Sequence, residues 1–487
     1  MARMTRRRWL KTAAAATSSF PLFTIAGTKA SGKVLGANDT IRVAVAGING
    51  RGGAHISEFT SMGDKVEVAY LVDPDSSLFE SRSRAVEARG KKRPICVQDI
   101  RQALDDKSLD AVSVATCNHW HSLITVWACQ AGKDVYVEKP ISHNVFEGRK
   151  CVEAAKKYGR VVQHGTQSRS SPQWARTIAA VHSGKYGQLL ISKGEASKNR
   201  WSIGFKPIEP PPSTFDFNIW LGPAPEQPFH RNLHPYNWHW FWDFGNGDIG
   251  NQGVHQMDIA RWGIRGATLP TKVFSIGGRF LPDGPDQGQV PNMQLAVLEF
   301  GPVTLLFEVR GLTSKHKEWP NVVTNSFFTT EGVIKEGGMF YPKSGGPPQK
   351  VEVPDDQVRV APGGAFGSFI NAMRSRRPED NNCDAEVAHY SSALIHLANI
   401  SYRLGTPGTY DKARGAIGDN KEVVATLERI RDNSKAVGVP IDKTVYTIGP
   451  VLTFDPATER FVGEHAEEAN RLLTRDYRRP FVVPQQV

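Results

Sequence analysis

The chain has 487 residues, 40% of them hydrophobic, with 60 Lys and Arg against 49 Asp and Glu for a formal net charge of +11. That length accommodates two domains with sizeable cores. Arg3, Arg6, Arg7, Arg8, Lys11 and Lys29 all fall within the first 30 residues with no acid among them, so the remainder carries an unremarkable balance and nucleic acid is not implied.

Residues 1–30 read as a twin-arginine signal peptide. The basic stretch Thr5 to Lys11 precedes a modestly apolar run from Thr12 to Ile25, and Thr28 to Ala30 offers small residues for cleavage. The expected destination is the periplasm or another exported location. No later run approaches the roughly 18 apolar residues of a membrane span, so no membrane is expected for the mature form. The five cysteines contain no Cys-x-x-Cys pair, which argues against a disulfide framework or a zinc site.

Ile41 to Gly47 reads as a strand, Gly47 to Gly52 as a glycine turn, Gly53 to Phe59 as a helix, and Lys65 to Asp73 as a second strand ending on an acid. This is the dinucleotide-binding arrangement, in which glycines let backbone amides approach a pyrophosphate and the terminal acid takes the ribose hydroxyls. Gly47, Gly50, Arg51, Gly52 and Asp73 are thereby candidate cofactor residues. Asn49 stands where the central glycine usually lies, and its tolerance of left-handed geometry is expected to preserve the turn. A carboxylate at 73 repels a 2′-phosphate, so NAD is expected over NADP.

The alternation continues with a short strand at 94–97, a helix at 100–106, a buried strand at 110–116 and a helix at 122–132. A strand at 135–137, a helix at 145–158 and a strand at 160–166 complete it. The organising stretch is Asp134 to Pro140, an apolar strand ending in Glu138 and Lys139 before a proline. Such residues at the carboxyl end of a parallel strand lie where these sheets bind ligands, and Pro140 biases Lys139 towards an extended conformation.

From Ser168 the texture changes. A proline-rich segment (207–212) and an aromatic run (229–244) precede a glycine-rich stretch holding Asp248, Asn251, His255 and Asp258. Alternating segments at 293–300, 303–309 and 322–330 predict an antiparallel sheet. Helices are expected at 366–375 and 385–404, with a tail from Gly405 wrapping the surface. His230, His234 and His239 lack the acid or Cys spacing of a metal site and read as pocket-lining residues. Trp238 and its neighbours offer flat faces to a sugar ring.

Taken together, Gly47 to Gly52, Asp73, Ala115 to His121, Glu138 to Pro140, Gly165 to Gln167, Asn251 to Asp258 and Asp384 to Ser392 resemble the Gfo/Idh/MocA oxidoreductases. The resemblance covers roughly residues 40–405. It implies a Rossmann domain at 40–167 and an α/β domain at 168–405 with an open, mostly antiparallel sheet, to which 406–487 is an extension. It also implies a nicotinamide lying between the domains, with Lys139 on the reacting hydroxyl and His255 as the catalytic histidine. Asn251 stands where the family usually has Asp, so an amide replaces a carboxylate, and Asp248 or Asp258 are candidates to supply the missing charge. Asn49, Thr116, Asn118, His121, Glu138, Lys139 and Gln167 are expected around the cofactor, with Asn118, His119 and His121 as loop residues over the nicotinamide. Trp238, Asn251, His255 and Asp258 are expected around the substrate.

The expected protein is an exported oxidoreductase with tightly held NAD, acting on a sugar, glycoside or polyol hydroxyl. It is expected to form a homo-oligomer through the open sheet. Two other readings remain: an NAD-dependent glycosidase working by oxidation, elimination and re-reduction, and a non-catalytic carbohydrate-binding protein, which intact Lys139 and His255 argue against.

Overall fold

A computed structural model describes residues 39–313 and 318–487, so the expected signal at 1–30 lies outside the described residues. The first strand, β1 (Ile41–Ala46), is apolar on both faces from Val43 onward because both are covered there. It lies between β2 (Val66–Val72) and β4 (Ala111–Val114); β3 (Ile95–Val97), β5 (Asp134–Val137) and β6 (Val162–His164) complete the sheet. All pairs are parallel, in the order β3-β2-β1-β4-β5-β6. Between these strands lie helices α1 (Gly50–Ser61), α2 (Phe79–Glu87), α3 (Ile100–Leu104), α4 (Asn118–Gln130) and α5 (Val145–Tyr158). This is the Rossmann domain that the strand–glycine–helix pattern predicts.

Three differences have local causes. Helix α1 starts at Gly50, three residues before the predicted start, because Asn49 is already extended at its N-cap. Helix α4 starts at Asn118, which moves Asn118 to His121 from a loop onto its first turn. Helix α2 was not predicted; it buries only Ser83 and Val86, too thin an apolar stripe to show a helical period.

The second domain begins with α6 (Pro172–Ser183) and β7 (Leu189–Ser197), followed by the short helices α7 (Phe217–Leu221) and α8 (Gly247–Asn251) and then α9 (Gly253–Gly263). Its sheet adds β8 (Lys272–Gly278), β9 (Met293–Phe300), β10 (Val303–Arg310), β11 (Val322–Thr329), β12 (Gly332–Lys335), β13 (Met339–Pro342) and β14 (Gln349–Lys350). Neighbouring strands are antiparallel except β10 with β7. Two late helices follow, α10 (Gly364–Ser375) and α11 (Ala385–Arg403). Helix α10 returns to the Rossmann core, where Phe366 stacks on Tyr136 with ring centroids 4.4 Å apart. Helix α11 joins the domains: Ala385 and Ala388 enter the Rossmann core, whereas Leu394, Leu397 and Ile400 enter the second.

The tail does more than wrap the surface. Residues 406–487 contribute β15 (Thr406–Gly408), α12 (Tyr410–Ala416), α13 (Lys421–Ala436), β16 (Tyr446–Ile448), β17 (Leu452–Asp455) and β18 (Arg460–Val462). The strands extend the sheet beyond β8, and Phe481 and Val483 return to the Rossmann core. In β10, Leu305, Phe307 and Val309 face α9 and α11, while Leu306 faces the other way. There Val423, Leu427 and Ile430 of α13 pack over Leu306, Leu295 and Ile276. The face expected to stay open for an oligomer is therefore covered by the chain itself across β8, β9 and β10.

Candidate active site

A cavity of about 620 Å³ opens between the domains at the carboxyl ends of β1, β4 and β5. Gly47 begins its floor at φ +79°, and a Cβ there would lie 2.6 Å from the Ala115 carbonyl and the Thr116 nitrogen. Gly52 lies behind the cavity; a Cβ on it would sit 1.7 Å from the Gly47 oxygen, so the glycine lets α1 approach β1. Asn49 has φ −75°, so the left-handed position of this turn is Gly47 and the tolerance argued for asparagine is not used. The Asn49 side chain makes no cap, which leaves the first amides of α1 facing the cavity.

Asp73 lines the same cavity and is buried. Its two oxygens accept the Ile48 and Asp75 amides, each at 2.9 Å. Burial outweighs those bonds and pushes its pKa up to about 6. The glycine cradle, the uncapped helix start and this carboxylate fit a dinucleotide.

Glu138 anchors the centre. Its Oε1 accepts from Arg51 Nε at 2.7 Å, faces His55 Nε2 at 3.1 Å and accepts from Gln167 Nε2 at 3.3 Å. Burial would raise its pKa, but the His55 hydrogen bond and the neighbouring charges hold it well below the usual range. Next along, Lys139 Nζ donates to the Asn251 carbonyl at 2.6 Å and to its Oδ1 at 3.3 Å, and Asn251 Nδ2 donates to Tyr236 Oη at 3.4 Å. His255, in the first turn of α9, also lines the cavity. Burial first and the Lys139 charge second push its pKa down to about 3, so it is neutral. Lys139 is lowered as well, again chiefly by burial.

The second domain roofs the cavity. The 214–216 segment bonds to the β2 end: Ser76 N donates to Thr214 O and Asp216 N to Pro74 O, both at 2.9 Å. His234 Nε2 lies 3.4 Å from Asp75 Oδ2, and Trp120 Nε1 donates to the Ile219 and Trp220 carbonyls at 3.0 Å. Arg478 of the tail donates to Gly222 O and to Asn218, fastening α7 from outside. Ile219, Trp220, His234, Tyr236 and Trp238 all line the cavity.

Among the expected residues, Thr116, Asn118, His121, Gln167 and Trp238 line the cavity. His121 also ties two backbones together, with Nδ1 2.6 Å from Pro140 O and Nε2 3.0 Å from Thr116 O. Asp258 does not reach the substrate side. It is fully buried in a two-bond ion pair with Arg169 at 2.9 Å and accepts from Ser391 Oγ at 2.6 Å. One turn before Asn251, Asp248 is buried with Oδ1 2.9 Å from Arg200 Nε. His55 and the roof residues Ile219 and Trp220 were missed. His55 looks like any histidine on an apolar helix, and no local pattern marks residues that meet β2 only through the tertiary fold.

Residues 41–166 match the Gfo/Idh/MocA model "Oxidoreductase family, NAD-binding Rossmann fold", and residues 192–274 match that family's "C-terminal alpha/beta domain". The chain is 27% identical over 225 residues to a "Glycosyl hydrolase family 109 protein" of Shewanella pealeana, covering 41% of this chain and 48% of that protein. It is 31% identical over 155 residues to an "Inositol 2-dehydrogenase" of Leifsonia xyli subsp. xyli, covering 32% and 44%. The chain thus spans about half the length of these curated relatives. In fold it is similar to the WlbA dehydrogenase from Bordetella pertussis, solved with NADH and UDP-GlcNAcA, at TM-score 0.54 and 16% identity, covering 74% of this chain and 97% of that one. A levoglucosan dehydrogenase solved with NADH and levoglucosan is similar at TM-score 0.54 and 18% identity, covering 74% and 98%.

Proposed function

We propose, from the matches of residues 41–166 and 192–274 to the two domain models of the Gfo/Idh/MocA oxidoreductases, an exported, NAD-dependent oxidoreductase. It moves a hydride between nicotinamide and a hydroxyl-bearing carbon of a sugar, glycoside or polyol. The observation that carries this reading is the 2.6 Å contact of Lys139 Nζ with the Asn251 carbonyl. It brings the end of a Rossmann strand to the start of the helix bearing His255, inside a cavity that also holds Asp73.

NAD, when bound, supplies the hydride acceptor. Gly47, Gly50 and Arg51 and the uncapped start of α1 hold its pyrophosphate, and Asp73 holds the adenosine ribose and rejects a 2′-phosphate. Neutral His255 takes the hydroxyl proton of the substrate. Lys139 donates to the same oxygen and stabilises the negative charge that develops there. Asn251 positions Lys139, but its amide cannot relay a proton. Tyr236 and Trp238 offer ring faces to the sugar. The roof, fastened to Asp75, Trp120 and Arg478, supports tight retention of the cofactor.

Retention also favours a second reading, a glycosidase working by oxidation, elimination and re-reduction, towards which the family 109 relative points. One experiment separates them. Nucleotide released from denatured protein is identified by mass, and nicotinamide absorbance is followed while sugars and glycosides are added. Net reduction is expected. Glycoside cleavage without net NADH would move the assignment to the glycosidase, and absence of NAD would overturn both. Export is proposed from Arg6 and Arg7: changing both to Lys should leave the protein in the cytoplasm, and normal export of that variant would refute it.

A further inference from the structure

Beside the Asn251 end of the cavity, and outside its lining, the second domain sets two further cations, Lys198 and Arg200. β7 and α9 run antiparallel to one another. Ser192 Oγ donates to the Ala260 carbonyl at 2.7 Å, and Asn325 Nδ2 bridges the Lys193 and Gln256 carbonyls at 3.2 and 2.8 Å. Beyond the strand, Arg200 Nε meets Asp248 Oδ1 at 2.9 Å. Ser192, Ala196 and Arg200 therefore face the helices. The backbone stays extended, with Lys198 N bonded to Arg310 O and Arg200 N to Gly311 O. Alternation then turns Lys198 to the same side, opposite the α8–α9 junction that holds Asn251 and His255.

Lys139 reaches that junction from the other domain. Lys139, Lys198 and Arg200 thus all face Asp248, one oxygen of which is already on Arg200, while Glu138 faces Lys139 from the Rossmann side. Lys198 makes no ion pair and no side-chain hydrogen bond among the described residues. Its charge reaches Lys139, where it adds to the lowering that burial begins. The two nearest histidines add no charge of their own: His239 and His255 are both pushed down to about 3, by burial first and then by these cations. A half-buried, unpaired cation beside a sugar-sized cavity selects an anion.

We propose that the substrate is an acidic sugar, a uronic acid whose carboxylate is held by Lys198, the cation here that neither Asp248 nor Tyr236 bonds; both of those engage Arg200. The carboxylate site stands on charge and geometry; only the claim that a neighbouring hydroxyl lies at Lys139 and His255 rests on the oxidoreductase reading.

The test is calorimetric binding of glucuronate against glucose, galacturonate against galactose, and glucose 6-phosphate, to the protein as isolated. At low salt the better uronate should bind about tenfold more tightly than its neutral partner, as for one added charge-assisted hydrogen bond. That ratio should shrink with added salt, collapse in Lys198→Met and Lys198→Gln, and recover in Lys198→Arg. Equal binding of acid and neutral sugar overturns the proposal, as does binding of no acid or a ratio unchanged in both Lys198 variants. Tighter binding of glucose 6-phosphate than of either uronate overturns the carboxylate in favour of phosphate. Hydride transfer is measured separately: selective uronate binding without nicotinamide reduction would sink the redox reading and leave the anion site standing.

Discussion

Because the Asp73 carboxyl titrates near pH 6, cofactor affinity should depend on pH in a calculable way. The ribose hydroxyls are bound by the anion, and at pH 5 only about one carboxyl in ten is ionised. NAD should therefore bind about tenfold more weakly at pH 5 than at pH 7.5, or roughly 1.4 kcal/mol. Stability moves the opposite way. An acid whose pKa is raised by folding binds more protons folded than unfolded between about pH 4 and 6, so its contribution to stability falls as pH rises through that window. Weaker binding at pH 5 is then not a loosening of the fold at Asp73. The groups facing it are Asp75, held below the usual range and anionic throughout, the Arg82 cation, and the Cys117 thiol, pushed up by burial and neutral throughout. His234 faces Asp75 instead. The assay is energy transfer from tryptophan to NADH, since Trp120 and Trp220 line the cavity. Asp73→Asn should bind more weakly at pH 7.5 and lose most of the pH dependence. Constant affinity from pH 7.5 to 5, or the same decline in Asp73→Asn, would refute the reasoning.

Other consequences follow from the same geometry. His255→Ala should retain NAD and lose about 10²–10⁴-fold in kcat, the usual contribution of a general base. Lys139→Met should lose turnover comparably, because the developing oxyanion then lacks its cation; full activity in either variant removes that residue from the chemistry. Asn251→Asp places a carboxylate against Lys139 Nζ and should raise the lysine pKa, shifting the alkaline limb of the rate profile upward; an unmoved limb would show that this contact does not tune Lys139. Arg478→Ala removes three donors from α7 and should speed NAD release severalfold while sparing the strand core, which a stopped-flow chase with excess nucleotide would detect; unchanged release would show that the tail does not hold the roof.

Much of the Rossmann domain was legible because its signals are local. A buried parallel strand is apolar throughout, a glycine turn announces the phosphate cradle, and Asp73, Glu138 and Lys139 each end a strand. The second sheet was legible as alternating segments, though not the parallel pairing of β10 with β7, which depends on a crossover no local period encodes. Helix α2 escaped because so little of it is buried. What only the tertiary structure decided are contacts between residues far apart in the chain. Asp258 looked like a substrate ligand from its place beside His255, but Arg169, on the segment leading out of the Rossmann domain, claims both its oxygens. Residues 406–487 looked peripheral, yet Val423, Leu427 and Ile430 cover the sheet and Arg478 secures the roof. Lys198 is one more surface lysine in the sequence; the extended backbone beyond β7 and the helix start beside it turn it towards Lys139. Residue type and local period determine which elements form and which groups can do chemistry, whereas charge balance and burial are sums over neighbours that only the folded chain brings together.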